Sequence, residues 1–561
     1  MPATASLVRT SVPAVPAETA AAGIRRPALA FLLTAFAALL IGSLVGPAQA
    51  LNYANVNVYK ALPLASYYQG LSIHGVLNAL VFTTYFNCAV LFYWPARELD
   101  VPPKLGWIWL SYGVMTIGLA LALVATLSNR ATVLYTFYAP LQAWWPFYIG
   151  LALVVVGSLM VGAETLRMRA VWKGRHPREI TPLVSYQSSI IWILWAFTTM
   201  GVVAELVVFL IPSAFGLRAG VDPIITFTLF WYTGHALVYF WVLPAYISWY
   251  ALLPRQAGGR LVSDTLARVS FILFLVFSVE VGLHHEVTVP GIAMFWKMEQ
   301  MVFTFFVIAP SLLTAFTVAA SLETAGRARG GRGWTGWIGA LPWGDPSVAG
   351  QLLALATFII GGATGVLLGS MAINPQVHDT AFVPGHFHVT VGTATALSFI
   401  AIGYWLVPHL TGRTLYGRGV ALASVWLWAL GMLGIGVGLM WQGLMYGTPR
   451  RDFISSLAVD PFYHPIAMAL TAIGGILLSF ALICATISIV GTLLSRPVSP
   501  ALVPQIPFAN APIDVSSRLV RAMDKLALWA VATAVLIAAV YGPLFWDLFH
   551  HYVAVPSVPV S

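Results

Sequence analysis

The stretch VPGHFHVTVG, residues 383–392, places His386 and His388 two positions apart inside a run of apolar and small side chains. Successive residues of an α-helix turn by about 100°, so residues two apart point about 200° apart. Two imidazoles aimed in nearly opposite directions do not readily share one ion. They can serve two groups, one on each side of the same helix. The run fits a helix buried in hydrocarbon, where an imidazole is unfavourable, rare and usually functional.

The rest of the chain supports that reading. Of its 561 residues 59% are hydrophobic and only 8% are charged, against about 25% charged in an average globular domain. Such a chain cannot cover itself with a water-compatible surface and must be solvated mostly by lipid. Apolar runs of about 20 residues, the signature of a membrane-crossing helix, recur along its length. Thirteen candidate spans fall near 27–51, 66–96, 106–129, 142–166, 183–213, 224–253, 266–288, 298–322, 347–371, 382–408, 418–445, 463–494 and 526–549. The fold expected is an all-α integral membrane bundle of about thirteen transmembrane helices. Residues 1–24 are expected to form a flexible tail, and 25–561 a single transmembrane catalytic domain. PAQALN, 47–52, weakly resembles a cleavage site, but the register of the later spans argues that the first span is kept. VSPALVPQIPFANAPIDVSS, 498–517, reads as a Pro-rich inner loop.

An odd number of spans puts the two ends on opposite sides of the bilayer, and the basic residues indicate which side is which. With the N-terminus inside, all of the 28 Lys and Arg except Lys60, Arg130, Arg218, Lys297, Arg450 and Arg451 lie in or beside inner segments. The net charge of +9 is therefore a topological signal and gives no reason to invoke nucleic acid. The two cysteines, Cys88 and Cys484, lie in separate spans and make neither a disulfide framework nor a thiolate metal site.

Of the 12 histidines, His176, His409, His464, His550 and His551 are expected at interfaces. His74, His235, His284, His285, His386 and His388 lie within spans 2, 6, 7 and 10. At about 1.5 Å per residue, all six fall in one layer between the outer surface and the midplane. His284 and His285 can converge on one point between helices. The six divide naturally: His74 and His388 can clamp one haem iron from both faces, and His386 can hold a second haem iron from one side. His235, His284 and His285 then form a three-imidazole site facing the open side, a donor set that suits copper or iron.

At this point the sequence resembles a known family, the catalytic subunit I of the haem–copper oxygen reductases. The carriers are LSIHGVLNALVF, WYTGHALVYFWVLPAY, LHHE and VPGHFHVTVG. Leu237 stands where the common A-type pattern has a Glu. ALPLASYYQGLSIHGVLNA, ATVLYTFYAPL, PSLLTAFTVAASLE and ALPWGDP resemble the B-type, ba3-like branch. The resemblance implies a low-spin haem on His74 and His388, a high-spin haem on His386, and one copper ion on His235, His284 and His285. It implies that Tyr239, four residues after His235 and on the same helix face, bonds covalently to it and donates an electron and a proton. A proton route along Tyr239, Tyr246 and Tyr250 and along Ser311, Thr314 and Thr317 is also implied, the bland alternative being helix–helix hydrogen bonding. Arg450 and Arg451, and His378, would hold haem propionates.

The same resemblance implies the reduction of O2 with electrons from cytochrome c, coupled to proton translocation, in a bacterial or archaeal inner membrane. The N-terminus would be cytoplasmic and the C-terminus outside. Electrons would arrive through a dinuclear copper centre on a separate subunit II, since this chain has no Cys-rich domain for one. Four positions depart from the pattern. Glu280, Glu286 and Glu299 are acids near the active layer, with Glu286 and Glu299 expected in solvent, and Asn374 replaces an expected Asp. Carboxylates beside a non-haem iron occur in nitric oxide reductases of the same superfamily, so Glu280 or Glu286 near the second metal would make NO the substrate. A histidine-relay proton transporter is a more remote reading, and the internal symmetry many transporters show is not apparent.

Overall fold

The computed structural model describes residues 18–456, 464–509, 511, 513 and 517–560. Among these, eleven helices are long and apolar enough to cross a bilayer. They are Gly23–Asn52, Tyr67–Leu99, Leu105–Leu127, Trp145–Arg175 and Leu183–Ala214 (spans 1 to 5). Met294–Ala328, Pro346–Leu368, Phe382–Thr411, Arg418–Tyr446, Pro465–Leu494 and Leu526–His550 are spans 8 to 13. Most of the expected tail, 1–17, lies outside the described residues, and the first helix begins at Glu18.

The two remaining expected spans carry three of the six histidines. Span 6 is the helix Pro223–Ala251, 29 residues without a charge; its Trp, Tyr, Thr and His residues lower its hydropathy. Span 7 differs from expectation. Its α-helix, Asp264–Phe277, has only 14 residues, and a short 3-10 turn, Gly282–Glu286, carries His284 and His285. The continuous helix expected over 266–288 is therefore corrected to a helix, a break and a turn. The break brings the chain against span 6: a Cβ on Gly282 would stand 2.6 Å from the Trp231 carbonyl oxygen. The backbone groups released there find partners, as buried ones must. The Tyr541 hydroxyl of span 13 donates to the Val279 carbonyl (2.9 Å) and accepts the Gly282 N–H (3.3 Å). The Gln300 side chain accepts the Leu283 N–H at 2.9 Å.

Among the described residues, three spans contain π-helical turns, Val76–Phe82 in span 2, Glu205–Leu210 in span 5 and His388–Leu397 in span 10. Such turns are rare and cluster at functional sites. Two of them lie beside His74 and begin at His388. Elsewhere small residues let helices touch, as is common in membranes. A Cβ on Gly118 of span 3 would come within 2.5 Å of the Gly150 carbonyl of span 4.

One end of the bundle is held by ion pairs and caps. Asp524 takes the Lys173 ammonium at 2.7 Å and the Arg169 guanidinium at 3.3 Å, and Arg268 pairs with Asp264. Burial opposes the charge on Asp524, but Lys173, Thr181 and Arg169 outweigh it and hold the carboxyl below its ordinary value. At the chain end, Val558–Pro559 pairs in parallel with Leu141–Gln142.

Candidate metal centre

His235, on span 6, and His284 and His285, on the turn after span 7, present ring nitrogens within 4.8 Å of one another. His235 Nδ1 lies 3.1 Å from His285 Nε2, and the His235 and His284 rings are 4.3 Å apart at their centroids. His285 is stacked on Trp231 at 3.8 Å, which fixes its plane, and His284 Nδ1 meets the Thr304 hydroxyl at 3.1 Å. That hydroxyl donates to the Gln300 carbonyl. The other nitrogen of His235, Nε2, is 3.0 Å from the Tyr239 hydroxyl. One face of that imidazole thus points to the cluster and the other to the phenol.

His386 and His388 diverge. The His388 ring faces His74, with centroids 6.3 Å apart and planes within 20°. His388 Nδ1 donates to the Pro384 carbonyl at 2.7 Å, and His74 Nδ1 to the Gly42 carbonyl at 3.0 Å. Each Nε2 lone pair is left available, the arrangement metal-ligating histidines usually show. An apolar cavity of about 250 Å³ includes both rings, with Phe82 and Met432 in its wall and Arg450 and Arg451 also lining it. His386 does not line that cavity. Its Nδ1 is 2.9 Å from the Thr364 hydroxyl of span 9, and the ring packs against Gly365.

Arg450 pairs with Asp379 at 2.8 Å. Arg451 donates to the Tyr138 hydroxyl at 3.2 Å. His378, in the segment between spans 9 and 10, is pushed down to about 4, by burial first and by Arg450 second; it is neutral at physiological pH. Its Nδ1 donates to the Asn374 side-chain oxygen at 2.8 Å, and the Asn374 amide donates to the His284 carbonyl (2.9 Å) and the Leu368 carbonyl (2.5 Å). A carboxylate at 374 would have nothing to donate to those two carbonyls, so Asn374 suits this site where an Asp would not.

The acids behave differently from expectation. Glu286 is fully buried and accepts the Thr228 hydroxyl at 2.8 Å, which corrects its expected solvation; its partner comes from span 6, distant in sequence. Glu280 is also fully buried, and neither of its oxygens has a hydrogen-bond partner among the described residues. Glu299 is half-buried. No carboxylate joins the three imidazoles in the cluster among the described residues.

The two hydroxyl rows come together. The Tyr250 hydroxyl lies 2.8 Å from Thr314 and 3.1 Å from Ser270, with Thr317 also in reach, and Tyr246 meets Ser311. Ser311, Thr314 and Thr317 each donate to the carbonyl four residues earlier, leaving their lone pairs to accept. Sequence reasoning missed Ser270, Thr304, Thr364, Trp231 and Tyr541. The first four each support a site residue from another span, and Tyr541 holds the break that precedes His284; single hydroxyls and aromatics are common in every span, so no local signal marks them.

Residues 26–477 match the family described as cytochrome c and quinol oxidase polypeptide I. The chain is 47% identical over 545 residues to cytochrome c oxidase subunit 1 of Thermus thermophilus, covering 95% of this chain and 96% of that one. It is 28% identical over 455 residues to haem–copper oxidase subunit I+III of Aeropyrum pernix, covering 76% of this chain and 52% of that one. It is also similar, with a TM-score of 0.90 and 34% identity, to a haem–copper terminal oxidase dimer solved by cryo-electron microscopy, over 96% of this chain and 95% of that one. The chain therefore belongs to the haem–copper oxidase family of cytochrome c and quinol oxidase subunit I polypeptides.

Proposed function

We propose that the chain is the catalytic subunit of a B-type terminal respiratory oxidase that reduces O2 to water with electrons from cytochrome c. The observation that carries this reading is the cluster of three imidazoles with Tyr239 on the far nitrogen of His235.

The residues present fit the groups the family implies. Facing imidazoles at His74 and His388 across an apolar cavity suit a low-spin haem, and the two guanidiniums on the cavity wall suit its propionates. His386, turned away, would hold the high-spin haem, with His378 near its propionates. Three nitrogen donors with no carboxylate suit copper. Once bound, the haems and copper supply electron transfer and O2 activation. Tyr239, half-buried and in contact with His235, would supply an electron and a proton, and would be linked covalently to that ring. Protons would reach it through Thr317, Thr314, Tyr250, Ser311 and Tyr246, each hydroxyl both accepting and donating. Trp231 and Thr304 hold the imidazole planes in place.

Electrons would enter from the outer side through a subunit II bearing a dinuclear copper centre, while protons come from the inner side, with the N-terminus cytoplasmic and residues 25–561 acting as one catalytic domain. Moving one charge against 100 mV requires about 2.3 kcal/mol, which is the basis of coupling to proton translocation. The nitric oxide reductase reading requires a carboxylate beside the second metal. Glu280 and Glu286 stand outside the imidazole cluster, so the oxidase reading is favoured.

The test is O2 uptake by the purified chain with its subunit II and reduced cytochrome c. Sustained uptake that Tyr239→Phe lowers by about 10²-fold or more, with haem absorption unchanged, supports the proposal. Turnover of NO with no uptake of O2 would overturn it.

A further inference from the structure

Two arginines stand apart from the other arginines. Among the described residues, the arginines with a buried guanidinium nitrogen lacking any hydrogen-bond partner are Arg25 (Nε), Arg97 (Nε and Nη1) and Arg268 (Nη1). Arg268 is paired with Asp264. Arg25 and Arg97 take part in none of the ion pairs among the described residues. Glu98, next to Arg97 in sequence, faces elsewhere and accepts the Val184 N–H (3.1 Å), the Ser185 N–H (2.7 Å) and the Ser185 hydroxyl (2.6 Å).

The two arginines share one place. Arg25 lies at the start of span 1 and Arg97 in the last turn of span 2, so both occupy the same end of two packed helices. Both stand near Tyr93 and His409. His409, expected at an interface, is in fact fully buried. Its Nδ1 donates to the Pro504 carbonyl at 2.6 Å, and its Nε2 accepts the Tyr93 hydroxyl at 2.8 Å. The pair therefore satisfies itself and offers no negative charge. What remains is two half-buried guanidiniums with no counter-charge among the described residues: Arg25 reaches the Tyr93 hydroxyl, but its Nε and the Nε and Nη1 of Arg97 have no hydrogen-bond partner. Buried donors without acceptors are unfavourable, and an anion with several oxygens relieves both problems at once.

The location names the anion. This end of the bundle also carries Arg167, Arg169, Lys173 and Arg175 at the end of span 4, so it is the basic side of the bilayer, and the site sits where spans 1 and 2 leave hydrocarbon. Guanidinium forks match phosphate oxygens, and basic pockets between helices on this side are suited to lipid headgroups. We propose that Arg25 and Arg97 form a binding site for the phosphate of an anionic phospholipid, in the leaflet on the basic side. The acyl chains would lie along spans 1 and 2, and the Tyr93–His409 pair would form the neutral back wall.

The test uses the full chain in detergent, stripped of lipid. It is titrated with short-chain phosphatidylglycerol, with phosphatidylcholine of the same chain length, and with inorganic phosphate, and binding is read by native mass spectrometry. One saturable phosphatidylglycerol site is expected, neither matched by phosphatidylcholine nor displaced by inorganic phosphate. Arg25→Gln with Arg97→Gln should weaken it about thirtyfold, the loss two arginines near a membrane surface imply. Arg26→Gln, at an exposed neighbour, should leave it intact. Arg97→Lys, which keeps the charge but loses the fork, should keep only part of the affinity and serves as the control if the double variant does not fold. Equal phosphatidylglycerol binding by wild type and Arg97→Gln, the absence of a saturable site, or inorganic phosphate competing on equal terms would overturn the lipid assignment.

Discussion

Each imidazole of the site is defined by what its second nitrogen does. His74 and His388 give theirs to backbone carbonyls, His386 meets Thr364, His284 meets Thr304, and His235 meets Tyr239. Residue types that bear chemistry in an apolar setting are easy to find in sequence, which is why all six histidines and Tyr239 were legible there. Their supports were not, because a carbonyl or a lone hydroxyl carries no mark of its own. Asn374 offers a sharp residue-level prediction. Asn374→Asp replaces a donor that serves two buried carbonyls with a carboxylate. It should lower stability by about 1–3 kcal/mol and reduce copper content, read by thermal unfolding and metal analysis. An unchanged melting temperature with full copper would contradict that role. Glu286 shows the limit of residue-level reading: its burial depends on Thr228, 58 positions away.

At the scale of elements, periodicity located most of the long spans to within a few residues, though span 4 runs to Arg175, nine residues past its expected end, and it could not see where the spans bend. The wide turns at 76–82, 205–210 and 388–397 preserve an apolar run, so the pattern passes through them unbroken. The break after Phe277 is equally silent, since SVEVGLHHE is neither long nor polar enough to announce a loop. What holds it is Tyr541, contributed by the last span. Tyr541→Phe should leave the Val279 carbonyl and the Gly282 amide short of a partner, lowering stability by about 1–3 kcal/mol and loosening copper retention during dialysis. The hydroxyl rows make a separate prediction. Thr314→Val, nearly the same shape, should slow O2 uptake while leaving the haem spectrum unchanged; a mutant turning over at the wild-type rate would remove Thr314 from the route.

For the molecule as a whole, the distribution of charge separates two tasks. Most basic residues gather at one end, where Asp524 ties span 4 to the start of span 13 through Lys173 and Arg169. Because the folded-state carboxyl of Asp524 is held below its ordinary value, this contribution is fully present above the unfolded pKa of about 3.9. It fades as pH falls through the lower folded value. Melting curves should therefore show wild type losing its advantage over Asp524→Asn only in that acidic window. An advantage that vanished near neutral pH would contradict the pairing.

In the proposed arrangement His386 and His388 serve two different haems, and the imidazole trio holds a third, copper centre. Metal and haem counting of the purified chain, combined with the reduced spectrum before and after CO, addresses it most directly. Two haems and one copper per chain are expected, with CO shifting only the haem held by His386. A single haem, three irons without copper, or both haems answering to CO would contradict it.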